Sequence, residues 1–316
     1  MKKRLITGIV LLAILVPLLI IDVLLPVFQI VAAIFVCIGA WEMIKLYEHG
    51  KKYNVAVKII IMISALLTYL SGLTIWTELT EELQLTQGLV KISIDSKIGF
   101  ALLMMAISLQ LSLLVFCKEF DANDIGKSLA SSFYVGFGVA SLIALRILGV
   151  RFVVYLFMIT VLTDVFAYVY GMLFGKHKMI ERISPKKTWE GAVGGTIVAT
   201  IASTLFAFLY GQLFPGGELN TIFDNFTQGV QSNPVLLFVL IFIVTFITSL
   251  AGQVGDLVAS RLKRTYDIKD FSNVFPGHGG FLDRTDSYIL TIPVVYYYLQ
   301  YFVNSNILMD LFRGLF

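Results

Sequence analysis

An all-α, polytopic integral membrane protein with about nine transmembrane helices is the fold class this chain predicts. Three observations carry that expectation. Of 316 residues, 58% are hydrophobic and only 14% charged, against roughly 25% charged in soluble domains. Apolar runs of span length recur from end to end, more than a soluble core can absorb. Lysine and arginine alternate between the segments joining those runs.

Taken in order, nine segments approach the roughly 20 apolar residues that a span requires: 5–21, 24–46, 56–76, 98–118, 127–147, 151–174, 190–212, 235–260 and 286–304. The first, after Met1-Lys2-Lys3-Arg4, has no convincing small-residue cleavage site and is read as an uncleaved helix. Asp22 and Pro26 turn it tightly into the second. No internal repeat or low-complexity linker appears. The simplest organisation is one membrane domain over 1–316, with spans one to five in 1–150 and catalytic spans six to nine in 151–304. Cys37 and Cys117 fall in or beside apolar runs and read as packing residues, not as a disulfide or metal pair.

The positive-inside rule sets the orientation. With a cytoplasmic N-terminus, 19 of the 24 Lys and Arg residues lie on the inner side, and Lys91, Lys97, Arg146, Arg151 and Arg313 on the outer. Loops 77–97 and 213–234 are acidic or neutral, with Glu78, Glu81, Glu82, Glu218 and Asp224. The expected topology is N-terminus cytoplasmic and C-terminus outside. It places loops 175–189 and 261–285 on the cytoplasmic face. The net charge of +3 is small, and no nucleic-acid partner is expected.

An ionisable residue inside a span costs roughly 2.5–3.5 kcal/mol on insertion scales, so each needs a reason. Asp164 shares a helical face with Thr160, Ala167 and Gly171. That face suits a cavity or a neighbouring helix, and pairing with a basic side chain is the plain alternative. Asp256 shares a face with Ser249, Gly252 and, if the helix continues, Lys263. Close packing explains the glycines there but not the aspartate. Before the seventh span, Ser184-Pro185 reads as a helix N-cap and first residue, which places Lys186 and Lys187 in the first turn. Cations there oppose the helix dipole unless an anion such as phosphate fills the site. The ordinary positive flank of a span is an equal reading. Trp189 suits an interfacial anchor.

The stretch 256–286 concentrates five Asp, five basic residues, a His and Pro276-Gly277-His278-Gly279-Gly280 between apolar runs. Asp283 and Asp286 become neighbours if the ninth helix has begun. Asp256 joins them if the loop folds back, within metal-bridging reach of Asp283. Three hard oxygen donors suit Mg²⁺, which takes one or two carboxylates plus substrate phosphates. Two such ions about 3.5–4 Å apart clamp an in-line phosphoryl displacement. Lys263, Arg264, Lys269 and Arg284 can neutralise a polyphosphate, and His278 suits a phosphate contact or a structural hydrogen bond. No Walker A motif, nucleophile elbow, CxxC or HExxH is present. The residues point to metal-assisted phosphoryl or nucleotidyl transfer at the cytoplasmic face. A transporter is the competing class, but broken helices and repeat symmetry are not evident.

The run Ser260-x-Leu262-Lys263-Arg264-x4-Lys269-Asp270-x-Ser272-x2-Phe275-Pro276-x-His278-Gly279-Gly280-Phe281-x-Asp283-Arg284-x-Asp286 resembles the signature of phosphatidate cytidylyltransferases, the CDP-diacylglycerol synthases. Asp164-x2-Ala167-Tyr168-x2-Gly171-x2-Phe174-Gly175-Lys176 and Ser184-Pro185-Lys186-Lys187-Thr188-Trp189-Glu190-Gly191 are also similar to that family. The resemblance covers roughly 160–290. It implies that CTP and phosphatidic acid give CDP-diacylglycerol and pyrophosphate, with Mg²⁺, in a bacterial inner-membrane protein that forms a homodimer. Carried onto this chain, it implies Asp256, Asp283 and Asp286 as metal ligands with Lys263 and Arg264 beside them. Lys186, Lys187, His278, Gly279, Gly280, Arg284, Lys269 and Ser260 become substrate-binding candidates, and Asp164 a supporting carboxylate. A CTP-dependent lipid kinase is the nearest rival. The Asp-Gly-x2-Ala-Arg opening of CDP-alcohol phosphotransferases is missing, since Leu257 follows Asp256.

Overall fold

The computed structural model describes residues 2–82, 91–92, 94–215, 219–224 and 233–301. In chain order the helices are α1 (Lys2–Ile20), α2 (Leu25–Tyr47), α3 (Val55–Glu82), α4 (Ser96–Phe116), α5 (Ala122–Ser132), α6 (Gly138–Leu148), α7 (Val150–Phe174), α8 (Trp189–Phe208), α9 (Tyr210–Leu213), α10 (Pro234–Thr265) and α11 (Leu282–Tyr301). A π-helical turn, Phe133–Phe137, joins α5 to α6. The strands β1 (Lys178–Ile180) and β2 (Ser184–Thr188) pair antiparallel.

Seven helical segments are long and apolar enough to cross a membrane: Asp22–Tyr47, Val55–Thr74, Lys97–Phe116, Ala122–Leu148, Val150–Phe174, Trp189–Phe208 and Pro234–Thr265. The chain is therefore a mostly helical, polytopic membrane protein. The first and ninth expected spans are also helical but fall outside this set. The described apolar part of α1 is only Ile6–Ile20. Helix α11 opens on Asp283, Arg284 and Asp286. Positions 302–304 of the ninth span, Glu218 and Arg313 lie outside the described residues. Helix α10 runs past 260 to Thr265, and α11 starts at Leu282, four residues before the expected 286.

The chain divides into two compact units. The first comprises Met1–Val150 with Arg261–Ile289. Here α3 meets the π-helical turn so closely that a Cβ on Gly136 would lie 2.6 Å from the Ala65 carbonyl. Its core includes Leu25, Val36, Leu46, Tyr69 and Ile143, and the Tyr69 hydroxyl donates to the Gln29 carbonyl at 2.8 Å. Arg146 is buried in α6 and donates to Asp22 Oδ1 at 2.7 Å. That contact satisfies part of a guanidinium that would be costly to bury unpaired. Between helices, Lys51 bridges Asp121 (3.1 Å) and Asp124 (2.6 Å), and Asp121 forms a reciprocal cap on α5 with Asp124.

The second unit comprises Arg151–Ser260 with Leu290–Phe316. Helices α7 and α8 approach through glycine. A Cβ on Gly191 would lie 2.5 Å from the Ala167 carbonyl, and one on Gly195 would lie 2.6 Å from that of Thr163. With no hydrophobic drive between helices in lipid, such close backbones and interhelical hydroxyl bonds hold the bundle. Thr163 shares a 2.7 Å hydrogen bond with Ser249, and Tyr155 a 2.6 Å one with Thr245. Both hydroxyl pairs join α7 to α10.

Candidate functional site

In the second unit, charged side chains meet at one end of α7, α8 and α10. A cleft of about 420 Å³ is lined by Asp164, Tyr168 and Gly171 from α7, Ser184, Lys186, Lys187 and Thr188 from β2, Ala192 from α8, and Gln253 and Asp256 from α10. The Lys187 ammonium forms an ion pair with the Asp256 carboxylate. Ser260, one turn along α10, donates to Asp256 Oδ1 at 3.4 Å. Gln253 donates to the Ala192 carbonyl (3.1 Å) and to Thr196 Oγ1 (2.7 Å), which fixes α10 against α8 beneath the cleft. Tyr168 and Met172 are largely exposed beside it, as apolar surface facing a bilayer would be.

The expected helix start at Ser184-Pro185 is corrected here. Ser184–Thr188 is a strand, and the N-cap of α8 is Thr188, whose hydroxyl accepts from the Gly191 N–H at 3.2 Å. Pro185 lacks an N–H and sits without loss on a two-stranded edge. A threonine in extended conformation followed by Glu190 in the first turn is a strong helix start. Lys186 and Lys187 therefore precede the helix, and the dipole argument for an anion between them lapses. They reach the cleft because the hairpin folds there. The hairpin is closed by Trp189 N–H donating to the His177 carbonyl (3.0 Å) and by a 2.6 Å contact between His177 Nδ1 and Glu190 Oε1.

In the first unit the glycine-rich loop is organised around two carboxylates. Asp283 Oδ1 accepts from Lys263 Nζ at 2.6 Å, and Oδ2 accepts from the N–H groups of Phe271 (2.8 Å) and Gly280 (3.0 Å). Its side chain is 5% exposed and that of Lys263 12%. Gly277 and Gly279 have φ of 81° and 85°, a region that side-chain-bearing residues rarely adopt. They let the chain reverse so that Phe275 N–H reaches the Gly279 carbonyl at 2.9 Å. The second carboxylate is Glu42 of α2, completely buried. It accepts from Ser272 Oγ (2.5 Å), Phe281 N–H (2.8 Å) and Leu282 N–H (2.8 Å). The Phe281 ring stacks on Phe35 at 5.0 Å.

The remaining predicted residues take separate places in this unit. Arg284 Nε donates to the His278 carbonyl at 2.6 Å, and Arg264 Nη1 to that of Ile268 at 3.1 Å. Lys269 is exposed. His278 Nδ1 is buried with no hydrogen-bond partner among the described residues. Asp286 follows Asp283 by one helical turn, and its Oδ1 accepts the Ser287 N–H at 2.8 Å. The structure thus brings Asp164, Asp256, Lys186 and Lys187 to one cleft, and Lys263, Asp283 and Gly280 to one hydrogen-bonded cluster. Sequence reasoning missed Glu42 and Gln253. Glu42 carried the same signal as Asp164, an acid inside an apolar run.

Among the described residues, no group of three or more His, Cys, Asp or Glu side chains stands where it could hold a metal ion. A cage built wholly from protein ligands is not what this donor set makes. Two carboxylates facing one cleft beside lysines do fit Mg²⁺, whose shell is completed by substrate phosphates and water.

Comparison with known proteins adds a family. The model of the cytidylyltransferase family matches residues 2–302. A protein of Staphylococcus haemolyticus named phosphatidate cytidylyltransferase is 36% identical over 178 residues, covering 56% of this chain and 60% of the relative. A Staphylococcus aureus protein of the same name is 38% identical over the same shares. A Bacillus subtilis protein of that name is 34% identical over 211 residues, 66% of this chain and 70% of its own. The chain thus spans about 60% of the length of the staphylococcal relatives it matches.

Proposed function

The chain belongs to the cytidylyltransferase family, and from that premise we propose that it transfers a cytidylyl group from CTP to phosphatidate, giving CDP-diacylglycerol and pyrophosphate. The shared name of its relatives supports the substrate pair. The observation that carries the reading is the second unit's cleft. Two lysines and two aspartates meet at the end of membrane-spanning helices, with exposed Tyr168 and Met172 alongside. Such a site suits a substrate that is phosphate at one end and lipid at the other.

In the reaction, a phosphate oxygen of the lipid attacks the α-phosphorus of CTP. The new P–O bond forms as the bond to the α–β bridging oxygen breaks, and pyrophosphate leaves with those electrons. Lys186 and Lys187 neutralise phosphate charge and hold it against the cleft. In the first unit Lys263, Arg264, Lys269, Arg284, His278, Gly279 and Gly280 are proposed as substrate-binding residues of their own loop, and in the second unit Ser260 orients Asp256. Asp256, supported by Asp164, is the proposed Mg²⁺ ligand of the second unit, and Asp283 and Asp286 are the proposed ligands of the first. Bound Mg²⁺ would supply charge neutralisation for the phosphates.

The finer topology is part of the same proposal. Nine spans with the N-terminus cytoplasmic and the C-terminus outside put both charged loops on the cytoplasmic face, consistent with the Lys and Arg bias. The expected setting is a bacterial inner membrane, with the protein a homodimer. The deciding experiment uses purified protein, phosphatidate in mixed micelles, Mg²⁺ and CTP labelled at its α-phosphate. Label is expected in the lipid, with pyrophosphate released. Lipid that stays unlabelled overturns the proposal. Labelling from γ-labelled CTP instead would make the protein a lipid kinase.

A further inference from the structure

Helix α11 begins without a cap of its own. Its cap position is Phe281, whose side chain offers no acceptor to the orphan N–H groups of the first turn. Glu42 supplies that acceptor from α2, 239 residues away in sequence. One carboxylate oxygen takes the Phe281 N–H and the Ser272 hydroxyl, and the other takes the Leu282 N–H. A Cβ on Gly280 would collide with the same carboxylate, so the glycine there is the space in which Glu42 sits. The anion stands at the positive end of the helix dipole and is fully buried, where hydrogen bonds to a charged acceptor are strongest.

We infer that Glu42 is a positioning residue for the proposed reaction, one that sets the loop 271–282 and the first turn of α11 from a distant helix. The inference rests on the cytidylyltransfer reading for its consequence, but its contact is independent of that reading. The segment it holds is the one that carries Asp283 and, through it, Lys263. Asp283 ties Gly280 and Phe271 together within the loop, whereas Glu42 ties the loop to the membrane bundle. Without Glu42 the loop would keep its internal geometry and lose its hydrogen-bonded anchorage to α2, with the Phe281–Phe35 stack left to hold it.

Glu42→Gln is the sharpest probe. It keeps the shape but turns an amide N–H₂ toward backbone N–H donors. Hydrogen exchange in detergent micelles is expected to rise at least about tenfold across 278–284 in Glu42→Gln, with the apolar part of α2 still protected. The KM for at least one of the two phosphate substrates is expected to rise about tenfold, with kcat falling by up to roughly 10². Loss of folded protein would scale kcat and leave both KM values alone. Ser272→Ala removes one of the three contacts and serves as the mild variant, with the same changes in smaller measure. Unchanged exchange in Glu42→Gln overturns the anchor. Loosened exchange with both KM values unchanged overturns the positioning role. If the wild type itself fails to label phosphatidate, the functional reading falls, while the exchange comparison still decides the contact.

Discussion

Asp256 in the second unit faces a cleft and is held by the Lys187 ammonium and, at 3.4 Å, the Ser260 hydroxyl, with 28% of its side chain exposed and 31% of that of Lys187. Asp283 and Glu42 in the first unit are nearly or wholly buried, and backbone N–H groups supply most of their hydrogen bonds. The difference separates two jobs for the same chemical group. A carboxylate paired with a flexible lysine at an open cleft can exchange that partner for a ligand at little cost. One that accepts backbone N–H groups can let go only if the chain moves. The first arrangement leaves the whole carboxylate open to substrate, whereas the second holds a loop in shape and leaves only the lysine-bound oxygen of Asp283 free to change partners.

The comparison can be broken by substitution, beginning with the largest effect. Asp283→Asn is expected to lower activity by more than about two orders of magnitude and also to destabilise the protein. It leaves Lys263 without its buried partner, a kind of loss that costs about 3–5 kcal/mol. Thermal unfolding and label transfer, measured on one preparation, should both move. A variant with normal turnover would remove Asp283 from the site. Asp256→Asn is expected to cut activity by a similar roughly 10²-fold with melting little changed, because a part-exposed pair at a cleft is worth not much more than the about 0–1 kcal/mol of a surface pair. Collapse of the fold in that variant would erase the contrast between the clusters.

Lys187→Ala sharpens the contrast further. KM for a phosphate substrate should rise about tenfold, the weight of one charge-assisted hydrogen bond, without a change in melting. Steady-state kinetics with both substrates would return Lys187 to a plain membrane flank if neither KM moved. The smallest effect is expected at the surface network. Lys51 holds the Asp121 carboxyl below the usual carboxylate range. A lowered folded-state pKa contributes stability above the unfolded value of about 3.9, and that stability is lost as pH falls through the folded value. Melting followed from pH 6 down to pH 3 should lose this contribution in the wild type, and Lys51→Met should flatten that part of the profile.

Much of this is legible in the amino-acid sequence. The apolar runs marked the helices, because lipid leaves a spanning backbone little choice but helix. Asp164 and Asp256 stood out by the cost of an acid in such a run. Other features were not legible, for local reasons. Ser184-Pro185 carries a helix-start signal, yet Thr188 with Glu190 carries a stronger one, and the backbone before it joins a hairpin with Lys178–Ile180. Glu42 has the same signal as Asp164, but Lys45 three residues on offers an ordinary helical partner, and nothing in α2 itself points to the loop 271–282. Its partners lie some 230 residues away.

What the sequence by itself determined was the class of the protein and the chemistry it could carry: membrane helices, cations gathered in alternate loops, and a signature dense in aspartate, lysine and glycine. Only the tertiary structure decided which groups each carboxylate meets. Composition and spacing do not say whether an aspartate meets a lysine, an open cleft or a row of backbone N–H groups. That is settled by where helices from distant parts of the chain come to rest: α2 against the loop 271–282 in one unit, and α7, α8 and α10 around the Asp164 cleft in the other.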